Sequence, residues 1–144
     1  MKTITVTNLN DSGTGSLHQA ITDAQNYTST EEVEIVFAES LAGTITLGSN
    51  LKIPAKVTVQ LPELVKLNLN SRDLLIYGNL TAENESAVDS IFSTSTSAQV
   101  IVYSGGKMSL TKANIALPAS QSVQINEGGT VELAECDIDG DVKN

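Results

Sequence analysis

A near-repeat close to the C-terminal end limits what this chain can fold into more than any other feature. Val100–Ile115 aligns with Val123–Ile138 at a constant offset of 23 residues. Val100 falls on Val123, Val102 on Ile125, and Gly105–Gly106 on Gly128–Gly129. Met108 and Leu110 fall on Val131 and Leu133, and Ala113 and Ile115 on Cys136 and Ile138. Self-similarity at a fixed period of roughly 20–50 residues marks a stacked repeat architecture. The apolar residues inside each repeat alternate with period two, so each repeat is a set of short strands. Strand, Gly-Gly corner, strand, small turn, strand describes one coil of a parallel β-helix.

The composition suits a thin coil. Of 144 residues, 40% are hydrophobic but only 3% are aromatic, and there is no Trp. Stacked Val, Ile and Leu can line such a coil without large rings. One domain is the natural count for this length. Counting from Val33, about five coils of roughly 20–23 residues fit. At ~4.8 Å per strand, that stack is on the order of 25 Å long.

The opening segment has a different character. Ile4 and Val6 alternate with Thr3, Thr5 and Thr7 in a strand. Asn8–Gly15 is rich in turn residues, and Ser16 followed by Gln19 has the spacing of a capping box. Leu17, Ala20, Ile21 and Ala24 share one helical face, which predicts a helix over about 17–26. A solenoid needs its ends covered, because a bare end shows unpaired backbone and open core. Residues 1–32 are therefore expected to form an N-terminal cap, and residues 33–144 the coils. Pro54 and Pro62 belong at corners. Asn79–Ser90 is the most polar stretch and is expected to bulge outward, with a second polar loop over 93–98. These two loops are the expected contact surface, since insertions in solenoids map to loops on one face. The chain ends six residues after a regular coil, which predicts an uncapped last coil, self-association through it, or a fragment of a longer β-helix.

Ile4–Asn26, followed by Val33-Glu-Ile-Val-Phe37 and Leu41-Ala-Gly-Thr-Ile-Thr-Leu47, resembles the N-terminal region of secreted bacterial right-handed β-helix proteins of the adhesin-like and polymorphic outer-membrane-protein-like kind. The similarity rests on a strand, then Asn-Asp-Ser-Gly-x-Gly-Ser-Leu, then an Ala-Ile helix and a strand ending in Phe. It covers about the first third of the chain. His18 stands where that group usually has Arg, and Gln60-Leu-Pro-Glu63 where it has a Gly-rich turn. The resemblance implies a right-handed all-β solenoid and a secreted or cell-surface protein with a structural or adhesive role, whose ligand would be a glycan or another host-surface group. Some β-helix relatives are polysaccharide lyases or hydrolases, so a truncated or divergent polysaccharide-active enzyme is the alternative from a different class.

Charge and motifs narrow the chemistry. With 17 acidic and 8 basic residues the formal net charge is −9, which repels nucleic acid and anionic lipid. No apolar run reaches the roughly 20 residues of a membrane span. The first residues lack a signal-peptide core, so either the protein is cytoplasmic or its signal lies outside this sequence, and the scarcity of Cys with the richness in Thr, Ser, Asn and Gly favours the second. Cys136 falls on the inward repeat position of Ala113 and reads as a buried, inert residue. His18 is expected on the helix surface, with no nucleophile motif beside it. No catalytic residue is assigned and no cofactor is expected. Lys66 and Arg72 beside Asp73 are the bases that a lyase reading would need. For metal, the candidates are Asp137, Asp139 and Asp141, a crude calcium loop with Gly at its fourth position and no closing Glu. Tyr77 and Tyr103 are expected on neighbouring coils. The Thr-x-Thr pattern does not recur in every coil, so Thr is read as an outward strand residue.

Overall fold

A computed structural model describes residues 1–95, 98–118, 121–139 and 141–143. Stacked parallel strands form a β-solenoid of about four turns, with one short helix. In chain order the elements are β1 (Lys2–Val6), α1 (Leu17–Ala24), β2 (Val33–Phe37), β3 (Gly43–Thr46) and β4 (Leu51–Ile53). Then come β5 (Val57–Gln60), β6 (Val65–Asn68), β7 (Asp73–Ile76), β8 (Asn79–Phe92) and β9 (Gln99–Val102). The last are β10 (Lys107–Ala116), β11 (Ser122–Ile125), β12 (Thr130–Ala134), β13 (Ile138–Asp139) and β14 (Asp141–Lys143).

The strands stack in three columns. One face runs β1-β2-β5-β8-β10-β12. The second pairs β3 with β6, β6 with the end of β8, and the end of β10 with β8 and β13. The third runs β4-β7-β9-β11-β14. Every pairing is parallel, so a coil returns to its start after visiting all three faces. The repeat found in the sequence is this stacking: Met108 pairs with Val131, Leu110 with Leu133, Val100 with Val123 and Ile115 with Ile138. The coil step is 24 from Val33 to Val57, 21 from Thr58 to Asn79, 28 from Asn79 to Lys107 and 23 from Lys107 to Thr130. Between the last two coils the step is 23 on all three faces, which is why they align in sequence.

Period-two alternation sends Ile35, Val59, Leu80 and Met108 inward, and they are buried in one continuous core. The N-terminal cap forms as expected. Leu17, Ala20, Ile21 and Ala24 are buried in that same core, and α1 lies against β1, β2 and β4. The helix is shorter than expected. It ends at Ala24, and the N–H of Gln25 still bonds back to Ile21. The capping box is half made. Ser16 Oγ accepts from the Gln19 N–H at 3.2 Å, but the Gln19 amide donates to Asp23 Oδ1 at 2.8 Å instead of reaching back.

Two expectations are corrected. Asn79–Ser90 is not a protruding loop but most of the 14-residue strand β8. Its polar residues alternate with buried Leu80 and Ala82; 84–87 form an insert opposite the single residue Lys112 of β10, and Ser90 is a second extra residue, between the partners of Asn114 and Ile115. Most of the polarity there is the outward face of a strand, while Asn84 and Ser90 are buried, with Asn84 Nδ2 donating to Ser90 Oγ at 3.2 Å. Cys136 is half-buried, not buried; its thiol faces the carbonyls of Leu110 (3.3 Å) and Ala134 (3.2 Å).

Candidate functional site

The motif-like run at 8–16 is structural. Asn8 Nδ2 donates to the Thr14 carbonyl at 2.8 Å, and Asn8 Oδ1 accepts from the Asn10 N–H at 3.1 Å. Ser16 Oγ donates to the Gly13 carbonyl at 2.7 Å. Asp11 Oδ1 accepts from the Gly48 N–H at 2.7 Å, which ties this loop to the first coil. His18 is part of the same knot and does not simply face solvent. Its Nδ1 lies 2.6 Å from the Asp11 carbonyl and its Nε2 3.2 Å from the Asn50 carbonyl. Both partners are backbone carbonyls, of which a neutral imidazole donates to one, and Arg with its five N–H donors could meet both. His18→Ala should therefore cost about 1–2 kcal/mol of folding stability, whereas His18→Arg should cost little or nothing. Thermal unfolding of both variants checks this, and equal losses would disprove it.

The outer face of the first sheet carries the polar side chains that alternation turns outward. In register they are Thr3 and Thr5, Glu34, Thr58 and Gln60, Asn79 and Thr81, Lys107 and Ser109, Thr130 and Glu132, with Val36 the apolar exception. Neighbours hold one another: Gln60 Nε2 donates to Glu34 Oε2 at 2.8 Å, and Asn79 Nδ2 to Thr58 Oγ1 at 3.2 Å. Lys107 Nζ meets Glu132 at 2.7 Å. The Lys107 hydrogen bond and charge, helped by Ser109, hold the Glu132 carboxyl below the usual carboxylate range.

Where this face turns its corner, a groove of about 490 Å³ opens over β2, β5 and β8. Thr58, Gln60, Thr81 and Glu83 supply hydroxyl, amide and carboxylate groups, while Val36, Leu61 and Pro62 supply apolar surface. The corner loop that follows β5 is fastened to the next coil. Glu63 Oε1 accepts the N–H groups of Glu85 (2.6 Å) and Ser86 (2.9 Å), fixing the 84–87 insert beside Glu83. The 84–87 insert, inside the 79–90 stretch expected as a contact loop, thus stands at the rim of this groove. Of the 93–98 loop, residues 96 and 97 lie outside the described residues, and Ala98 is buried.

The third face carries Tyr77 and Tyr103 on neighbouring coils, as expected. Their rings stack with centroids 4.2 Å apart and planes 2° from parallel. Lys52 Nζ covers the Tyr77 ring at 4.9 Å. Burial, then the hydrogen bond with Tyr77, push the Tyr103 phenol above its ordinary range. Stacked along the solenoid axis, each ring spends a face on the other and turns edges outward. The pair strengthens the coil-to-coil contact.

Other candidates are not brought together. Lys66 lies on β6 of the second face, facing Thr44, while Arg72 occupies the turn into β7. Asp137 and Asp139 are exposed on either side of Ile138, and the Asp137 N–H is held by Asn114 Oδ1 at 2.9 Å. The side chain of Asp141 and the whole of Gly140 lie outside the described residues. Among the described residues, no group of three or more His, Cys, Asp or Glu side chains has metal-holding geometry, and no helix is long and apolar enough to cross a membrane. Sequence reasoning missed the groove. Its signal is the outward triplet Thr58, Gln60 and Thr81, which is found only once the register is known.

No protein-family model matches the chain, and neither a curated protein nor a solved structure matches it.

Proposed function

We propose that this chain is a non-enzymatic module of a secreted or cell-surface protein, with a structural or adhesive role, and that it binds a hydroxyl-rich ligand, a glycan, in the groove over β2, β5 and β8. One observation carries the reading. Thr58, Gln60, Thr81 and Glu83 converge there beside the apolar surface of Val36 and Pro62. A few placed polar groups next to apolar surface is the usual composition of a small-molecule site. The ladders beneath these residues fix their spacing, so little ordering entropy is lost on binding. The resemblance of residues 4–47 to secreted bacterial β-helix proteins supports the setting, including the right-handed sense of the coil.

The test is an immobilised glycan array probed with the labelled chain, followed by the double variant Thr81→Ala/Glu83→Gln. We expect a restricted set of glycans to be retained, and the variant to weaken retention about tenfold or more, since two hydrogen-bonding groups are lost. Both residues face outward, so the melting temperature should barely move. An array with no signal above background, or a variant that binds as well as the parent, refutes the reading.

A further inference from the structure

Tyr77 and Tyr103 form the one stacked aromatic pair among the described residues. Backbone register puts them together. Ile76 pairs with Val102, and the ladder runs on through the next rung: the Tyr77 N–H donates to the Ile53 carbonyl and the Tyr103 N–H to the Ile76 carbonyl, each at 2.9 Å. Parallel strands in register bring like side chains side by side at ~4.8 Å. The rings lie closer, at 4.2 Å and 2° from parallel, with the phenol groups adjacent. The ring carbons beside the two hydroxyls therefore face one another. The aromatic ladder stops at two. The next coil has Asn126 at this position, where its N–H donates to the Val102 carbonyl at 2.9 Å. Both rings are half-buried, so an oxidant reaches them and they keep room to tilt. The third tyrosine, Tyr27, stands in the turn after α1, with Lys2 Nζ 4.8 Å over its ring.

Phenols couple when each is oxidised by one electron. The chain has no Trp to intercept an oxidant, and its single thiol, Cys136, lies beside Leu110, away from the pair. We propose that Tyr77 and Tyr103 are an oxidative cross-linking site, joined as dityrosine by a peroxide-fed haem peroxidase. Each phenol loses one electron and its O–H proton, leaving a tyrosyl radical. The rings tilt edge to edge, and one C–C bond forms between the carbons ortho to the hydroxyls. The hydrogens on those carbons move to the oxygens, which restores both aromatic rings and both O–H groups. Two hydrogen atoms leave in all, and one hydrogen peroxide takes them up as two waters. Because the stack holds the partners in place, coupling within the chain outruns coupling between chains. The product is a covalent rung between adjacent coils, whose contacts are a main source of a solenoid's stability.

The test treats the whole chain, carrying Cys136→Ala to remove thiol chemistry, with a haem peroxidase and one equivalent of hydrogen peroxide. A parallel sample uses light, a ruthenium(II) tris-bipyridyl sensitiser and persulfate, so that access of the enzyme does not decide the result. The expected product runs as a monomer on a denaturing gel, is lighter by two hydrogen atoms and has dityrosine fluorescence. Cleavage after Glu83 and Glu85 separates Tyr77 from Tyr103 in the untreated chain, whereas in the product the two peptides stay joined. Tyr77→Phe and Tyr103→Phe should each cut the intramolecular yield about tenfold or more, and Tyr27→Phe should leave it unchanged. Unfolding in urea before illumination should cut the yield as much, because the stack that aligns the rings is lost. A product that survives Tyr77→Phe, dimers linked through Tyr27 as the main product, or no dityrosine under conditions where free N-acetyltyrosine couples overturns the inference.

Discussion

Leu74→Ala should destabilise the protein by about 2–5 kcal/mol, the range for removing a buried leucine from a core that cannot close around the gap. Leu74 has no exposed surface. It lies on β7, in register between Leu51 of β4 and Val100 of β9, both also buried. The hydrogen-bonded ladders above and below hold those neighbours at strand spacing, so they cannot sink into the cavity. Solenoid stability is largely a sum of contacts between adjacent repeats, and this residue serves two of them. The melting temperature should fall by roughly 2–4 °C for each kcal/mol lost. The same deletion in the last coil is the control. Leu133→Ala removes a side chain that is 45% exposed, with a partner on one side only. Its cost should stay within about 0.5 kcal/mol, the range for surface positions. Circular dichroism melts of both variants make the comparison. Equal losses would mean that the end coil is as well covered in solution as the middle one.

How much of this was legible in the sequence depends on how regular each coil is. The coils at 100–138 keep a 23-residue step, so their alignment is their stacking and the inward residues could be named one by one. Earlier coils change step from 24 to 21 to 28, and the variation sits in the corners. Between β8 and β10 four residues, 84–87, stand opposite Lys112 alone. Lys112 and Glu135 turn the same corner in successive coils with φ of 53° and 56°. No glycine or proline marks that turn, so propensity could not place it. The polar stretch at 79–90 looks like a loop for a related reason: its buried positions include the small Ala82 and the polar Asn84 and Ser90, so little apolar alternation is left. His18 was misplaced because a side chain's tie to Asn50, 32 residues away, has no local signature. The groove needed the register of three strands, and period-two alternation supplies faces but not neighbours.

The corner into the first sheet gives the second large effect. Gly78 and Gly106 are stacked there in successive coils, and the Lys107 N–H donates to the Gly78 carbonyl at 2.8 Å. A Cβ on Gly78 would lie 2.2 Å from the Pro54 carbonyl oxygen and 2.3 Å from that of Val57. Both obstacles are backbone atoms of the preceding coil, so relief requires parting two coils, not turning a side chain. Gly78→Ala should therefore cost at least the 1–3 kcal/mol typical of overpacking, and about 3 kcal/mol is expected because the strain falls on backbone. Gly105 makes the contrast. It has φ of +83° but open space around its missing Cβ. Gly105→Ala meets only the left-handed penalty of about 1–2 kcal/mol. Replacing Gly105 by Asn, which tolerates that conformation better, should recover part of the loss, whereas Gly78→Asn should be no better than Gly78→Ala. Melts of the four variants separate a steric glycine from a conformational one. If Asn rescued Gly78 and not Gly105, the corner geometry described here would be wrong.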